Sequence, residues 1–459
     1  MRILVEPGGT VEGEIAVPGD KSIAHRWLIL SATARGTSVL RGLPEALDVG
    51  STARCLAAVG GGHAGPRLEA WGSMLEHQGI GAGFTVDGRV DPTEARAELI
   101  IEGEGRDRLH VPGRPLDCGN SGTTMRLLIG VLAASPFACT LTGDESLCAR
   151  PMERVAEPLR EMGASVHTDQ GHPPVEVHGG PLRGIRHALA VPTAQAKGAI
   201  LLAGLAADGW TTVVEPAGTR DHTERALRRL GAPIRLEEGE RTVSVSRFQH
   251  EGFEAEVPGD VSSAAFLVGA ATLTGGELII RGVGLNPTRT RFLSVLDRMG
   301  VGTELRLIGE ELGEPVGELF VARVAGLLGT EVEARELPLV IDEVPVLATL
   351  AAHAEGETRF AGAAELRAKE SDRLTGVAEM VRDLGGQARV EGEDLVVEGG
   401  GLAGGRTSAR GDHRLAMAAA VAALGARAPC EIDGMESSEV SFPGFLTALR
   451  ALGAGVGAA

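Results

Sequence analysis

The sequence predicts an α/β protein of two lobes, assembled from six copies of one β-α-β-α-β-β unit. Length is the first reason: 459 residues exceed what one hydrophobic core organises, so two or more domains are expected. Self-similarity is the second. Val17-Pro18-Gly19-Asp20, Ser22, a small-residue helical stretch, Gly36 and the strand-like Ser38 to Leu40 return 240 residues later as Val257-Pro258-Gly259-Asp260, Ser262, an Ala-rich stretch, Gly275-Gly276 and Glu277 to Ile280. Four weaker copies begin near Leu116, Val191, Pro338 and Ala409, each with an apolar stretch of helical length, then a glycine or proline and a β-branched run.

A second helix follows in each unit and commonly ends in Leu-Gly or Met-Gly, as in 151–163, 221–231, 287–300, 371–385 and 443–453. Short alternating strands such as 165–168, 242–245 and 388–390 come next. The copies lie 66 to 99 residues apart, too far for a solenoid, so each is a small sheet with its own helices. Helix-then-hairpin periodicity disfavours an ordinary doubly wound sheet. Because Pro and Gly break elements, the two Val-Pro-Gly-Asp copies mark where the chain changes lobe. The expected boundaries are 1–19 plus 259–459 for lobe 1 and 20–258 for lobe 2, joined by two strands of chain.

Composition excludes several classes of function. A formal charge of -18 argues against nucleic acid and anionic membrane as partners, which need a broad positive surface. Small anionic substrates need only a few local cations. No apolar run reaches the roughly 18 residues of a membrane span, and the first residues lack the pattern of a signal peptide, so a cytoplasmic protein is expected. The five cysteines are odd in number and show no metal-binding spacing, so neither a disulfide framework nor a zinc site is expected and they read as buried thiols.

Cations recur where helices start. A helix N-terminus carries partial positive charge, so Lys and Arg are unfavourable there unless an anion binds. Lys21 and Arg26 fall in the first turns of one predicted helix, Arg150 precedes Pro151, and Arg414 follows Asp412 at the head of another. Lys197, Arg220, Lys369 and Arg373 occupy similar positions. Each alone reads as a solvated charge; recurrence in five of six units points to a bound phosphate or carboxylate. Ser22 and Arg26, and likewise Lys369 and Arg373, are four apart, the spacing of one helical face. Asn120-Ser121-Gly122-Thr123 opens another helix with a turn whose N–H groups can approach an oxyanion. Asp342, inside an apolar run, is either a helix cap, an ion-pair partner or functional, and Glu370 sits in a charged run that reads as solvated.

These motifs resemble the signatures of 5-enolpyruvylshikimate-3-phosphate synthases, nearly from end to end. They are Pro18 to Arg26, Leu116 to Arg126, Gly143 to Leu147 with Arg150-Pro151-Met152, Arg220 to Glu224, Asn286 to Thr290, Lys369 to Arg373 and Asp412-His413-Arg414. The resemblance implies the enolpyruvyl transferase fold, three units to a lobe, with the active site in the cleft between lobes. It implies that Lys21, Ser22, Arg26, Thr193, Ala194, Gln195, Arg220, Asp342 and Lys369 hold shikimate 3-phosphate, and that Lys21, Gly122, Arg150, Gln195, Arg373 and Arg414 hold phosphoenolpyruvate. Asp342 is then the base and Glu370 the proton donor, with Lys21 assisting; no cofactor takes part, and a monomer is expected.

Three places depart from the family pattern. Thr193-Ala194-Gln195 stands where Ser-Ser-Gln or Ser-Ala-Gln is usual, Val440 where some members carry lysine, and residues 61–95 form a longer connection. The sister enzyme acting on UDP-N-acetylglucosamine should lack the Lys21/Arg26 and Lys369/Arg373 pairs, and a catalytically silent anion-binding scaffold has no need of both Asp342 and Glu370.

Overall fold

The computed structural model describes residues 1–60, 98–237, 239, 241–324 and 326–458. The longer connection at 61–95, Trp71 to His77 included, lies outside the described residues. Contacts divide the chain into two compact units. The first is Met1–Pro18, Gly259–Gly309 and Pro315–Ala459; the second is Gly19–Pro258 with Glu310–Glu314. The turn joining strands Thr303–Glu311 and Glu314–Val321 is counted with the second unit.

Among the described residues there are six small sheets, three in each unit, and they share one pattern. Two parallel strands lie side by side, and two antiparallel strands complete the sheet. In the first unit, for example, Glu331–Val332 runs parallel to Glu357–Phe360, which pairs antiparallel with Asp394–Glu398, and that in turn with Gln387–Glu391. A parallel pair needs a crossover, and a helix supplies it, Val344–Ala351 in this sheet. The antiparallel pair is a hairpin here, whereas in the sheet of Arg2–Glu6 that strand pairs with Gly455–Ala458. This is the β-α-β-α-β-β order expected from the repeats; the sheet containing Arg35–Arg41 has three described strands.

The crossover helices are buried on every side. Val261–Thr274 is buried from Val261 to Thr272, and His413–Leu424 along its whole length. Their small apolar residues show no polar stripe because there is no solvent-facing side. In the first unit these two pack with Val344–Ala351. In the second, Gly122–Leu132 packs against both Lys21–Thr33 and Ala194–Gly204. Each trio anchors a separate hydrophobic core, with Phe266 in one and Trp27 in the other fully enclosed.

Strands are exchanged at the repeated Val-Pro-Gly-Asp segments. Gly13–Ala16, before the first copy, pairs parallel with Leu278–Gly284, which follows the second copy's helix. Glu254–Glu256, before the second copy, pairs parallel with Arg35–Arg41, which follows the first copy's helix. The amide of Asp20 donates to the Pro258 carbonyl and that of Asp260 to Pro18, each at 2.7 Å. A Cβ on Gly19 would stand 2.0 Å from the Gly42 carbonyl oxygen, so close backbone approach requires glycine there. Asp20 and Asp260 then cap the next helices, accepting from the amides of Ile23 and Ser262.

Candidate active site

In the second unit, three buried helices start close together and carry the expected side chains. Lys21 is the first residue of its helix, and its Nζ donates to Asp48 Oδ2 at 3.0 Å, with both side chains mostly buried. The expectation of a cation awaiting only a ligand needs correction here: Lys21 already has a carboxylate partner. Without substrate, Lys21→Met is therefore expected to cost about 1 kcal/mol of stability rather than leave it unchanged. Thermal melts check this, and an unchanged or raised melting temperature would show that the helix-end repulsion outweighs the ion pair.

Arg26 lies one turn further on and is 4% exposed. Its Nη1 donates to the Ser22 carbonyl at 2.7 Å and its Nε to Thr223 Oγ1 at 2.8 Å. Burial pushes its pKa down to about 10, against the pull of Glu224 and with Arg220 adding to the depression. That environment favours an anionic ligand. Arg220 itself is half-buried and stands just before the helix His222–Arg229.

The second helix, Gly122–Leu132, is capped by Ser121, whose hydroxyl accepts from the Thr124 amide. A Cβ on Gly122 would lie 2.9 Å from Arg126 Nη1 and 3.4 Å from Arg150 Nη1, so the missing side chain makes room for two guanidinium groups. Arg150 donates to Asn120 Oδ1 at 2.6 Å, and Arg126 donates to Gln195 Oε1 and to the Pro151 carbonyl. Gln195 Nε2 donates in turn to Thr123 Oγ1 at 2.8 Å, which fixes the orientation of that amide. Gln195 belongs to the third helix, Ala194–Gly204, whose N-cap Thr193 makes no side-chain capping bond. Two guanidinium groups and a helix N-terminus meet at Gly122, the arrangement that binds phosphate or carboxylate. His25 joins the first two helices through Thr52 and Thr124, and burial pushes its pKa down to about 3, so it stays neutral at physiological pH.

In the first unit, Asp342 lies between the short helices Leu337–Val340 and Val344–Ala351 and caps neither. It is an ion-pair partner. Its carboxylate is 3.3 Å from Arg373 and 3.5 Å from Arg414, whose Nη1 also donates to the Asp342 carbonyl at 3.0 Å. Glu370 pairs with the same Arg373, so the two candidate proton-transfer acids share one guanidinium. Asp412 is fully buried and holds Arg373 in bidentate fashion, Nε at 2.8 Å and Nη2 at 3.2 Å, while capping the Arg414 amide at 2.8 Å. Burial lowers the pKa of Arg373, but Asp412, Glu370 and Asp342 outweigh it and hold this guanidinium above its ordinary value.

Two sequence readings are corrected. Lys369 and Arg373 do not share a helical face: Lys369 ends the 3-10 turn Ala363–Ala368, and Asp372 caps a helix that begins only at Arg373. Lys197 is buried against Glu215 at 2.9 Å and Glu224 at 2.6 Å, and these two carboxylates hold it above its ordinary pKa despite burial. It is a structural cation. Sequence reading missed Arg126, Asp48 and Asp412 as partners. Asp412 had a signal as a helix cap, and Arg126 lay in a quoted motif; Asp48 had none.

Guanidinium groups gathered at helix starts, and two carboxylates on one arginine, are an arrangement suited to binding small anions. The profile of the EPSP synthase family (3-phosphoshikimate 1-carboxyvinyltransferase) matches residues 5–87 and 88–449, and the chain belongs to that family. A 3-phosphoshikimate 1-carboxyvinyltransferase of Halorhodospira halophila is 46% identical over 456 residues, 98% of this chain and 96% of that protein. One from Legionella pneumophila is 41% identical, covering 98% of each. The solved EPSP synthase of Acinetobacter baumannii superposes with a TM-score of 0.82 at 36% identity, covering 99% of both chains. Among the described residues no helix is long and apolar enough to cross a membrane.

Proposed function

We propose that the chain transfers the enolpyruvyl group of phosphoenolpyruvate to the 5-hydroxyl of shikimate 3-phosphate through the residues assigned below. Family membership over the full length supports the reaction. The pairing of Asp342 and Glu370 on Arg373 is the observation that carries the roles. Lys21, Ser22, Arg26, Thr193, Ala194, Gln195, Arg220, Asp342 and Lys369 take the shikimate 3-phosphate. Lys21, Gly122, Arg150, Gln195, Arg373 and Arg414 take the phosphoenolpyruvate, and Arg126 joins them through Gln195.

Asp342 removes the 5-hydroxyl proton as that oxygen bonds to C2 of phosphoenolpyruvate, while Glu370, assisted by Lys21, delivers a proton to C3. C3 becomes a methyl group in a tetrahedral ketal. Loss of one methyl proton and departure of phosphate then restore the double bond, with the arginines stabilising the charge on the leaving group. These steps need only proton transfer and electrostatic stabilisation, so no cofactor is assigned. We assign the chain to the cytoplasm, as a monomer.

The methyl stage gives a direct test. In deuterium oxide, proton NMR of the product is expected to show deuterium in the vinyl group, because the methyl holds one solvent-derived hydrogen when it loses another. A vinyl group free of deuterium would contradict a freely rotating methyl stage.

A further inference from the structure

We infer that Thr223 is a positioning residue for shikimate 3-phosphate, acting through Arg26; this rests on the role given to Arg26 above. A buried arginine recognises a phosphate or hydroxyl only if its planar fork is held in one orientation, because a swinging guanidinium loses its geometric match to the ligand. Arg26 has two fixed donors. Nη1 is tied to the carbonyl of Ser22 in its own helix, and Nε to the hydroxyl of Thr223 from a different helix, His222–Arg229. The backbone bond anchors one corner of the guanidinium. The Thr223 bond anchors the edge beside it and so sets the plane.

The surroundings are shaped for that contact. Thr223 is 2% exposed, so no solvent competes for the bond. A Cβ on Gly198, in the third buried helix, would stand 3.1 Å from Thr223 Oγ1 and 3.6 Å from Arg26 Nη2. Even an alanine there would press on Thr223 Oγ1, with its Cβ in ordinary contact with Arg26 Nη2. Beneath Thr223, the next residue Glu224 pairs with Lys197 at 2.6 Å, which in turn pairs with Glu215, and this pins the first turn of the helix. The same stretch begins at Arg220, itself assigned to shikimate 3-phosphate. One short segment therefore supplies one ligand-binding cation directly and orients a second, and its Arg-Asp-His-Thr-Glu run acquires a role at its fourth position.

Steady-state kinetics of Thr223→Val, Thr223→Ser and their combinations with Arg26→Lys test this. Losing a hydrogen bond to a charged group, Thr223→Val should raise KM for shikimate 3-phosphate about tenfold or more, with a smaller effect on kcat and on KM for phosphoenolpyruvate. Thr223→Ser keeps the hydroxyl and should restore most of the affinity. In the Arg26→Lys background, which has no Nε, Thr223→Val should change KM by less than about twofold, the coupling a double-mutant cycle isolates. An unchanged KM in Thr223→Val, no rescue by serine, or an equal loss in the Arg26→Lys background would overturn the inference while leaving the reaction standing. Absence of wild-type turnover with shikimate 3-phosphate would instead overturn the proposed function and the inference with it.

Discussion

Asp342→Ala is expected to lower turnover by about two to four orders of magnitude, the range a positioned general base contributes. Its binding of shikimate 3-phosphate should remain substantial, because Lys21, Arg26, Gln195 and Arg220 belong to the other unit and are untouched. The fold should survive as well. Asp342 is one of three carboxylates around Arg373, and Asp412 and Glu370 keep that guanidinium paired when it is removed. Calorimetric titration with shikimate 3-phosphate and steady-state kinetics separate the two effects. Near-normal turnover in this variant would remove Asp342 from the chemistry.

Asp412→Asn should act on stability first. The substitution keeps an oxygen to cap the Arg414 amide but removes the charge that meets both Nε and Nη2 of Arg373, a side chain 1% exposed. Breaking one side of a buried ion pair costs about 3–5 kcal/mol, and the lower end applies because Glu370 and Asp342 still face Arg373. The effect has a pH signature. Burial raises the Asp412 pKa, but Arg373 outweighs burial and holds it below the ordinary 3.8. A depressed folded-state pKa contributes stability that is fully present above the unfolded value and is lost as pH falls through the folded one. The gap between wild type and variant should thus be constant near neutrality and shrink below about pH 4. Denaturant unfolding at several pH values measures it, and a gap that persists unchanged into acid would assign the loss to packing.

The fold was legible where local chemistry speaks for itself. Helices enclosed in a core appear in sequence as small apolar stretches without a polar stripe, and glycines such as Gly163 and Gly275 end helices in the left-handed conformation as expected. Strand partners were not legible. Nothing local tells Gly13–Ala16 and Glu254–Glu256 each to pair with the strand after the other copy's helix. The cations show the same limit. Lys21 and Arg414 stand where their helices were expected to start, yet Lys197 looked equivalent, and only Glu215 and Glu224, brought back by the fold, make it structural. Lys369 misled because Asp372 caps a helix that begins only at Arg373, which leaves Lys369 outside it.

The most direct measurement is phosphate released from phosphoenolpyruvate by the wild-type chain with different acceptors. Release should require shikimate 3-phosphate and be absent with UDP-N-acetylglucosamine or with no acceptor. Release without shikimate 3-phosphate, or none in its presence, would contradict the assignment.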